Sequence, residues 1–214
     1  METQTNSESN NVFKFKIRRK ELIIDNKSVS FNNKTLLCKN IDKIKYGSTQ
    51  VYVNGFKANK IFNFFLHDKN GKKMTISFQQ MRTKRKVETS KEDVLYMDII
   101  QAFWKHITSK IVNNMLDELK KGKEVQVGKF RLNKHGITIK VWRFFKFKNE
   151  EVHIPWAKSL KEVSLGGLVI SSKDNKKNKC RQQFLNVWNL NALHSVLDFL
   201  WADGKCYLLE KGQL

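Results

Sequence analysis

The residues of this sequence that are best suited to chemistry are lysines and arginines, grouped so that several could hold one anion. Lys14, Lys16 and Arg18 occur at alternating positions between apolar residues, so a β-strand would present all three cations on one face. Two basic segments follow, one from Arg82 to Lys86 and one from Lys173 to Arg181. The predicted anion-binding residues are Lys14, Lys16, Arg18, Arg82, Lys84, Arg85, Lys86, Lys140, Arg143, Lys146, Lys176, Lys177, Lys179 and Arg181.

The overall charge agrees with an anionic partner. The chain of 214 residues has 41 lysines and arginines against 20 acidic residues, a formal net charge of +21 at pH 7. So large a charge describes the partners of a protein better than its fold, and it suits nucleic acid, an anionic membrane surface or an acidic protein. The alternative is an ordinary solvated basic surface that keeps the protein soluble.

The sequence lacks the residue spacings of a catalytic or metal site. It has no glycine-rich phosphate loop, no G-x-G-x-x-G and no C-x-x-C. Asp117, Glu118 and Lys120 are similar to a nuclease fragment, but they fall on a predicted helix and not on a strand edge. The histidines are scattered without the spacing of metal ligands: they are His67, His106, His135, His153 and His194. We therefore predict no enzymatic activity, no cofactor and no metal.

The cysteines and the N-terminal residues indicate the cellular compartment of the protein. Cys38, Cys180 and Cys206 are odd in number and widely spaced, which favours inert thiols in a reducing cytosol over a disulfide framework. Residues 1–11 are polar and read as a disordered tail, not as a signal peptide. No apolar run approaches the ~20 residues of a membrane span. We expect a cytoplasmic protein, with peripheral attachment to the inner membrane face as an option.

One long amphipathic helix is predicted from Ser90 to Gly122, at the centre of the chain. Ser90 suits the N-cap, with Asp93 three residues on, and Gly122 suits the left-handed exit. A break near Thr108 and Ser109 is an option. One face of the helix is predicted to be apolar: Ile100, Phe103, Trp104, Ile107, Ile111, Met115 and Leu119. Further apolar residues must pack on the rest of the chain or on another copy, so a homo-oligomer or a protein partner could dock through helix 90–122.

The stretches on either side of the helix are both rich in predicted short strands, and we predict that they repeat one architecture. Ile24–Val29 is similar to Leu132–Ile137, because each reads as a strand end, a polar turn and a strand start. The predicted division is a disordered tail at 1–11, a first domain at 12–122, a second domain at 123–204 and a tail at 205–214. The alternative is that any two strand-rich segments, each followed by a helix, would look this similar.

The order of the predicted elements resembles the pleckstrin-homology (PH) superfold, a bent barrel of seven short strands plugged by a helix. The resemblance rests on the strand meander, on Ile154-Pro155-Trp156, and on Trp104 or Trp201 in the closing helices. It implies an α+β fold of two PH-like bent β-barrels or sheets, each closed by a C-terminal helix and joined by helix 90–122. Lipid-binding PH domains carry an alternating basic motif, to which Lys14-x-Lys16-x-Arg18 is similar. The chain resembles a tandem PH-like protein of bacterial type, and many bacterial proteins with PH-like domains have no assigned function.

Three functions stay open at this point. The resemblance implies a noncatalytic module that docks on an anionic membrane surface through lipid headgroups. The net charge and the basic segments also suit DNA or RNA, with Trp142, Phe144 and Phe145 either stacking on bases or lying in the core. The third is a protein-interaction scaffold that uses helix 90–122 and the tail at Tyr207–Leu209. We also expect a bulge near Trp142, where the inward alternation of the strand changes.

Overall fold

The computed structural model describes residues 12–81, 90–143 and 148–214, and the predicted tail at 1–11 lies outside these ranges. Its strands are β1 Phe13–Ile17, β2 Lys20–Ile24, β3 Ser28–Phe31, β4 Lys34–Leu37, β5 Ile41–Val53, β6 Phe56–Asp68, β7 Lys73–Met81, β8 Val125–Val127, β9 Phe130–Asn133, β10 Gly136–Arg143, β11 Lys148–Pro155, β12 Ser159–Ser164, β13 Gly167–Ser172 and β14 Lys179–Gln183. Its helices are α1 Lys91–Phe103, a π turn Trp104–Thr108, α2 Ser109–Lys120, α3 Leu190–Trp201 and α4 Lys205–Glu210. The predicted α+β class is confirmed.

Within these ranges the strands form four antiparallel sheets in a repeated order. Strands β1–β4 form a four-stranded sheet and β5–β7 a three-stranded sheet, and the long helix comes next in the chain. Strands β8–β11 and β12–β14 repeat the same two sheets, and α3 comes after them. The described strands do not join the two sheets of either half by hydrogen bonds, so they form no closed barrel and the two predicted PH-like domains are not confirmed.

The long helix runs without a break from Lys91 to Lys120. Ser90 caps it: its hydroxyl accepts from the Asp93 N–H at 3.0 Å, and the Asp93 carboxylate accepts from the Ser90 N–H. A π turn at Trp104–Thr108 stands where we expected a possible break. A π turn adds one residue and so rotates the faces of the later helical turns. Trp104, predicted to face inward, is 42% exposed, whereas Ile107, Ile111 and Leu119 of the same predicted face are buried.

The apolar surface of α2 packs within the same chain. Val112, Leu116 and Leu119 are buried, and α2 packs against α3 of the second half. Buried side chains from both halves belong to one continuous hydrophobic core. The surface that we considered for a second copy or a partner is thus largely covered by the chain itself.

A second set of contacts joins the two halves at the edge of β5. The sheet order leaves one side of β5 without a neighbouring strand. Asn189 accepts from the Ile44 N–H at 2.8 Å, and its amide donates to the Asp42 carbonyl at 2.9 Å. Asn191 accepts from the Tyr46 N–H at 3.1 Å and donates to the Tyr46 carbonyl at 3.2 Å. Two asparagine side chains thereby take the place of a neighbouring strand.

One prediction about local structure is wrong. The bulge near Trp142 is not present in β10, which pairs with β11 in unbroken register from Gly136 to Arg143. Val141 is buried and Trp142 is 57% exposed, so the inward alternation continues. The predicted C-terminal tail contains helix α4, which buries Cys206 and Leu209 against the core.

Candidate anion-binding site

The outer face of the sheet β12–β14 brings together several of the predicted cations. The basic segment that we interpreted as a loop includes β14, so Lys179 and Arg181 lie on a strand. Alternation places both on the outer face, because the neighbouring residues Cys180 and Gln182 are buried. Pairing across the sheet defines three rows: Leu160, Ser171 and Lys179; Glu162, Val169 and Arg181; and Ser164, Gly167 and Gln183.

The outer face is concave and encloses about 650 Å³ together with the turn after β13. Lys173 and Lys176 come from that turn and add to Lys179 and Arg181, so four cations face the single carboxylate of Glu162. Ser164, Ser171 and Ser172 supply hydroxyl groups to the same surface. Cations combined with small hydrogen-bond donors are the arrangement that holds a phosphate group. We call this surface the anion-binding face.

Arg181 is held in a fixed position on the anion-binding face. Its Nη2 donates to the carbonyls of Ser164 at 2.9 Å and Leu165 at 2.7 Å. Gly167 allows this approach, since a Cβ there would lie 3.2 Å from the Arg181 Nε and 2.6 Å from the Gln182 carbonyl oxygen. The guanidinium is therefore oriented before any ligand arrives, which lowers the entropic cost of binding.

The turn after β13 is ordered by its own hydrogen bonds. The Ser172 N–H donates to the Asn178 carbonyl at 2.9 Å, and the Lys177 N–H donates to the Asn175 side chain at 3.0 Å. Asp174 pairs with Lys158 at 2.6 Å, and this hydrogen bond raises the pKa of Lys158. The Asp174 carboxylate is thus engaged with Lys158.

Lys176 and Lys179 keep their charges available for a ligand. Both are exposed, and neither has an ion-pair or hydrogen-bond partner for its ammonium group among the described residues. Lys177 is also exposed, at the tip of the same turn. Lys173 differs, because its ammonium group donates to the Ala157 carbonyl at 2.8 Å. The face thus combines the fixed guanidinium of Arg181 with lysines that can adjust to a ligand.

The first predicted motif is divided between a strand and a turn. Lys14 and Lys16 lie exposed on the outer side of β1, where Lys16 is paired in register with Glu21. Arg18 is not on their strand face, because β1 ends at Ile17 and Arg18 has a φ of 57° in the next turn. Arg18 lines a separate concavity of about 460 Å³ near Asn32. The three cations therefore do not form the single row that alternation predicted.

Two of the remaining predicted cations, Lys140 and Arg143, lie on β10 and not on the sheet β12–β14. Lys140 lies on β10 and pairs with Glu151 at 3.6 Å. Arg143 is the last residue of β10. Five predicted site residues lie outside the described residues: Arg82, Lys84, Arg85, Lys86 and Lys146. Phe144 and Phe145, considered for base stacking, lie outside them too.

Sequence reasoning missed the partners that complete the anion-binding face. Ser164 and Ser171 were not predicted, and Lys173 was predicted only as the start of the basic segment, although all three line the concavity. The available signal was the alternation of Lys179, Cys180, Arg181 and Gln182, which is typical of a strand with one polar face.

No His, Cys, Asp and Glu side chains among the described residues cluster in a way that could hold a metal ion. His194, on α3, is partly buried, and this burial lowers its pKa. None of the helices in the described ranges is long and apolar enough to cross a membrane.

The three cysteines are buried, and we expect them to be unreactive in the folded protein. Burial raises the pKa of the Cys38 and Cys206 thiols to about 11, and it also raises the pKa of Cys180. Because only the thiolate reacts, labelling by a disulfide reagent at pH 8 should be slower than for free cysteine by roughly a hundredfold or more. Three thiols should then titrate rapidly in denaturant. A rapid reaction of one equivalent in the native protein would contradict this expectation.

Comparison with known proteins gives no relative for this arrangement. No protein-family model matches the chain, and neither a curated protein nor a solved structure shows a significant similarity to it.

Proposed function

We propose that the protein is a noncatalytic tandem PH-like binding protein that docks its anion-binding face on anionic phospholipid headgroups. The repeated order of four strands, three strands and a helix supports the PH-like interpretation. On this proposal the protein acts in the cytoplasm and attaches peripherally to the inner face of the membrane. Lipid binding rests partly on the resemblance in fold, so the argument for it must come from the face itself.

The observation that carries this proposal is the presence of cations and exposed apolar side chains on one side of the sheet β12–β14. Lys179 and Arg181 lie in the same rows as Leu160 and Val169, and Leu160 is 46% exposed. The hairpin tip next to Arg181 carries Leu165, which is 83% exposed. A bilayer interface offers phosphate groups and apolar chains within a few ångströms, and it complements both kinds of side chain.

The test is co-sedimentation with vesicles of phosphatidylserine and phosphatidylcholine, and with vesicles of phosphatidylcholine alone. We expect binding only to the anionic vesicles, and weaker binding as salt is added. The double variant Lys176→Gln/Lys179→Gln should lose affinity by about 30-fold, because each lysine near an anionic surface contributes ~1 kcal/mol.

The matched control is Lys39→Gln/Lys69→Gln, which removes the same charge from exposed lysines of the first half. It should bind nearly as well as the wild type. Equal losses in the two double variants would mean that net charge alone drives binding and that the anion-binding face is not the site.

A second candidate function is binding of single-stranded nucleic acid, and exposed Trp142 favours it. Trp142 and Lys140 lie on the outer side of β10, where the ring could stack on a base and the cation could meet the backbone. A gel shift across salt tests this. Binding of single-stranded nucleic acid that is lost in Trp142→Ala but kept in Lys176→Gln/Lys179→Gln would favour this second function over the first.

A further inference from the structure

Two hairpin turns occupy equivalent positions in the two halves. Their first residue differs, because it is asparagine in one turn and leucine in the other. Each joins the first two strands of a three-stranded sheet: Asn54-Gly55 joins β5 to β6, and Leu165-Gly166 joins β12 to β13. Both turns have two successive residues with positive φ, 50° and 79° in the first and 46° and 70° in the second. Asparagine and glycine are the residues that such turns favour. Leucine is not, because its Cβ is crowded in this conformation.

The leucine gains little from packing in return for this backbone conformation. Leu165 is 83% exposed, the largest exposure among the large hydrophobic residues of the described chain. Val163, just before the turn, is 51% exposed. An unfavourable backbone conformation that holds an apolar side chain in water suggests that the side chain serves a binding partner.

The tip is held firmly at the edge of the anion-binding face. The Arg181 guanidinium donates to the Leu165 carbonyl at 2.7 Å, and the Phe184 N–H donates to the Gly166 carbonyl at 3.1 Å. Leu165 therefore keeps a fixed position beside the Arg181 cation. A fixed apolar side chain next to a cation complements the boundary between lipid phosphates and acyl chains.

We infer that Leu165 inserts into the acyl-chain region of an anionic bilayer while Arg181 and Lys179 contact the phosphate layer above it. This inference rests on the proposed function. It adds the depth to which Leu165 enters the bilayer and the orientation of the protein on the membrane. The partner is a lipid surface and not a protein groove, because Arg181 beside the leucine and Lys179 farther along the same face match the negative charge of a phospholipid layer.

The test of insertion uses a nitrobenzoxadiazole fluorophore attached to a Leu165→Cys variant, with a Leu37→Cys variant as the matched control. Leu37 is 45% exposed on the sheet of the first half. The three native cysteines are buried. On anionic vesicles the label at position 165 should shift to shorter wavelength and be quenched by lipids with nitroxide-labelled acyl chains. The label at position 37 should do neither.

Replacing Leu165 by asparagine separates the effect of the side chain on vesicle affinity from its effect on the stability of the protein. Leu165→Asn suits the positive φ, so we expect its melting temperature to rise by roughly 2–4 °C. The same variant should lose vesicle affinity by about tenfold, because it removes an inserted apolar side chain. Leu165→Met should keep the affinity. A purely structural leucine would give the opposite change in stability.

The outcomes distinguish the inference from the function on which it rests. Vesicle binding without quenching at position 165, or with full affinity in Leu165→Asn, overturns the insertion and leaves headgroup docking standing. Loss of stability together with affinity in Leu165→Asn also overturns it, because the leucine would then be structural. No binding of the wild type to anionic vesicles overturns both proposals.

Discussion

Replacing Asn189 and Asn191 together by alanine is expected to lower the free energy of unfolding by about 3–5 kcal/mol, because it leaves several partly buried backbone groups unpaired. The two side chains satisfy the N–H groups of Ile44 and Tyr46 and the carbonyls of Asp42 and Tyr46.

Substitution of Asn189 is expected to destabilise the protein for a second reason. Its φ is 61°, a conformation that asparagine tolerates better than alanine does. Although it occupies the N-cap of α3, its side chain does not cap the helix and binds β5 instead. Its own N–H also donates to the Ile44 carbonyl at 2.8 Å.

Urea denaturation, monitored by circular dichroism, measures the effect. Asn189→Asp should fall between the wild type and Asn189→Ala, since it keeps the acceptor for Ile44 and loses the donor to Asp42. Asn114→Ala, on the exposed side of α2, is the control and should change the stability by less than about 0.5 kcal/mol. A double variant as stable as this control would show that the asparagine contacts do not hold the two halves together.

Phe64→Ala is expected to cost about 3–5 kcal/mol, since it opens a cavity where the β5–β7 sheet meets the long helix. The Phe64 ring is fully buried. Its centroid lies 5.1 Å from that of Tyr96 and 5.4 Å from that of Phe103, both on α1, and 5.8 Å from that of Tyr46 on β5. One truncation therefore removes contacts of the sheet with the helix and contacts within the sheet.

Phe56→Ala is the matched control, because it makes the same chemical change on the same strand, β6. Phe56 is 74% exposed, so the control should shift the denaturation midpoint very little. Phe64→Leu should lie between the two, as it fills part of the cavity. Similar midpoints for Phe64→Ala and Phe56→Ala would contradict the position of Phe64 in the core.

The sequence predicts the long helix and most of the face that the helix buries, but it does not predict the π turn within the helix. Spacing indicates the helix because apolar residues recur with its period, and Ser90 marks its start. The π turn at Trp104–Thr108 changes that period by one residue. Its stability depends on packing against sheets far away in sequence, and no local pattern reports such packing. Trp104, the first residue of the π turn, is exposed, whereas Ile107, Ile111 and Leu119 are buried as predicted.

The sequence predicts the positive charge of the candidate site, but it does not predict the geometry of the site. The basic segment near Lys176 is evident from composition alone. The start of β14 at Lys179 depends on pairing with β13, and the position of Arg181 depends on carbonyls of the hairpin at Ser164 and Leu165. Contacts between residues this far apart arise from the assembled sheet and leave no signal in a short stretch of sequence.

The asparagines on β5 also determine how the protein can recognise other chains. An exposed strand edge invites pairing with a strand from another molecule, which leads to recognition by β-addition or to aggregation. Asn189 and Asn191 occupy the hydrogen-bonding groups of that edge from Asp42 to Tyr46. This part of β5 is therefore closed to strand addition, and a newly made first half remains open to it until α3 has folded.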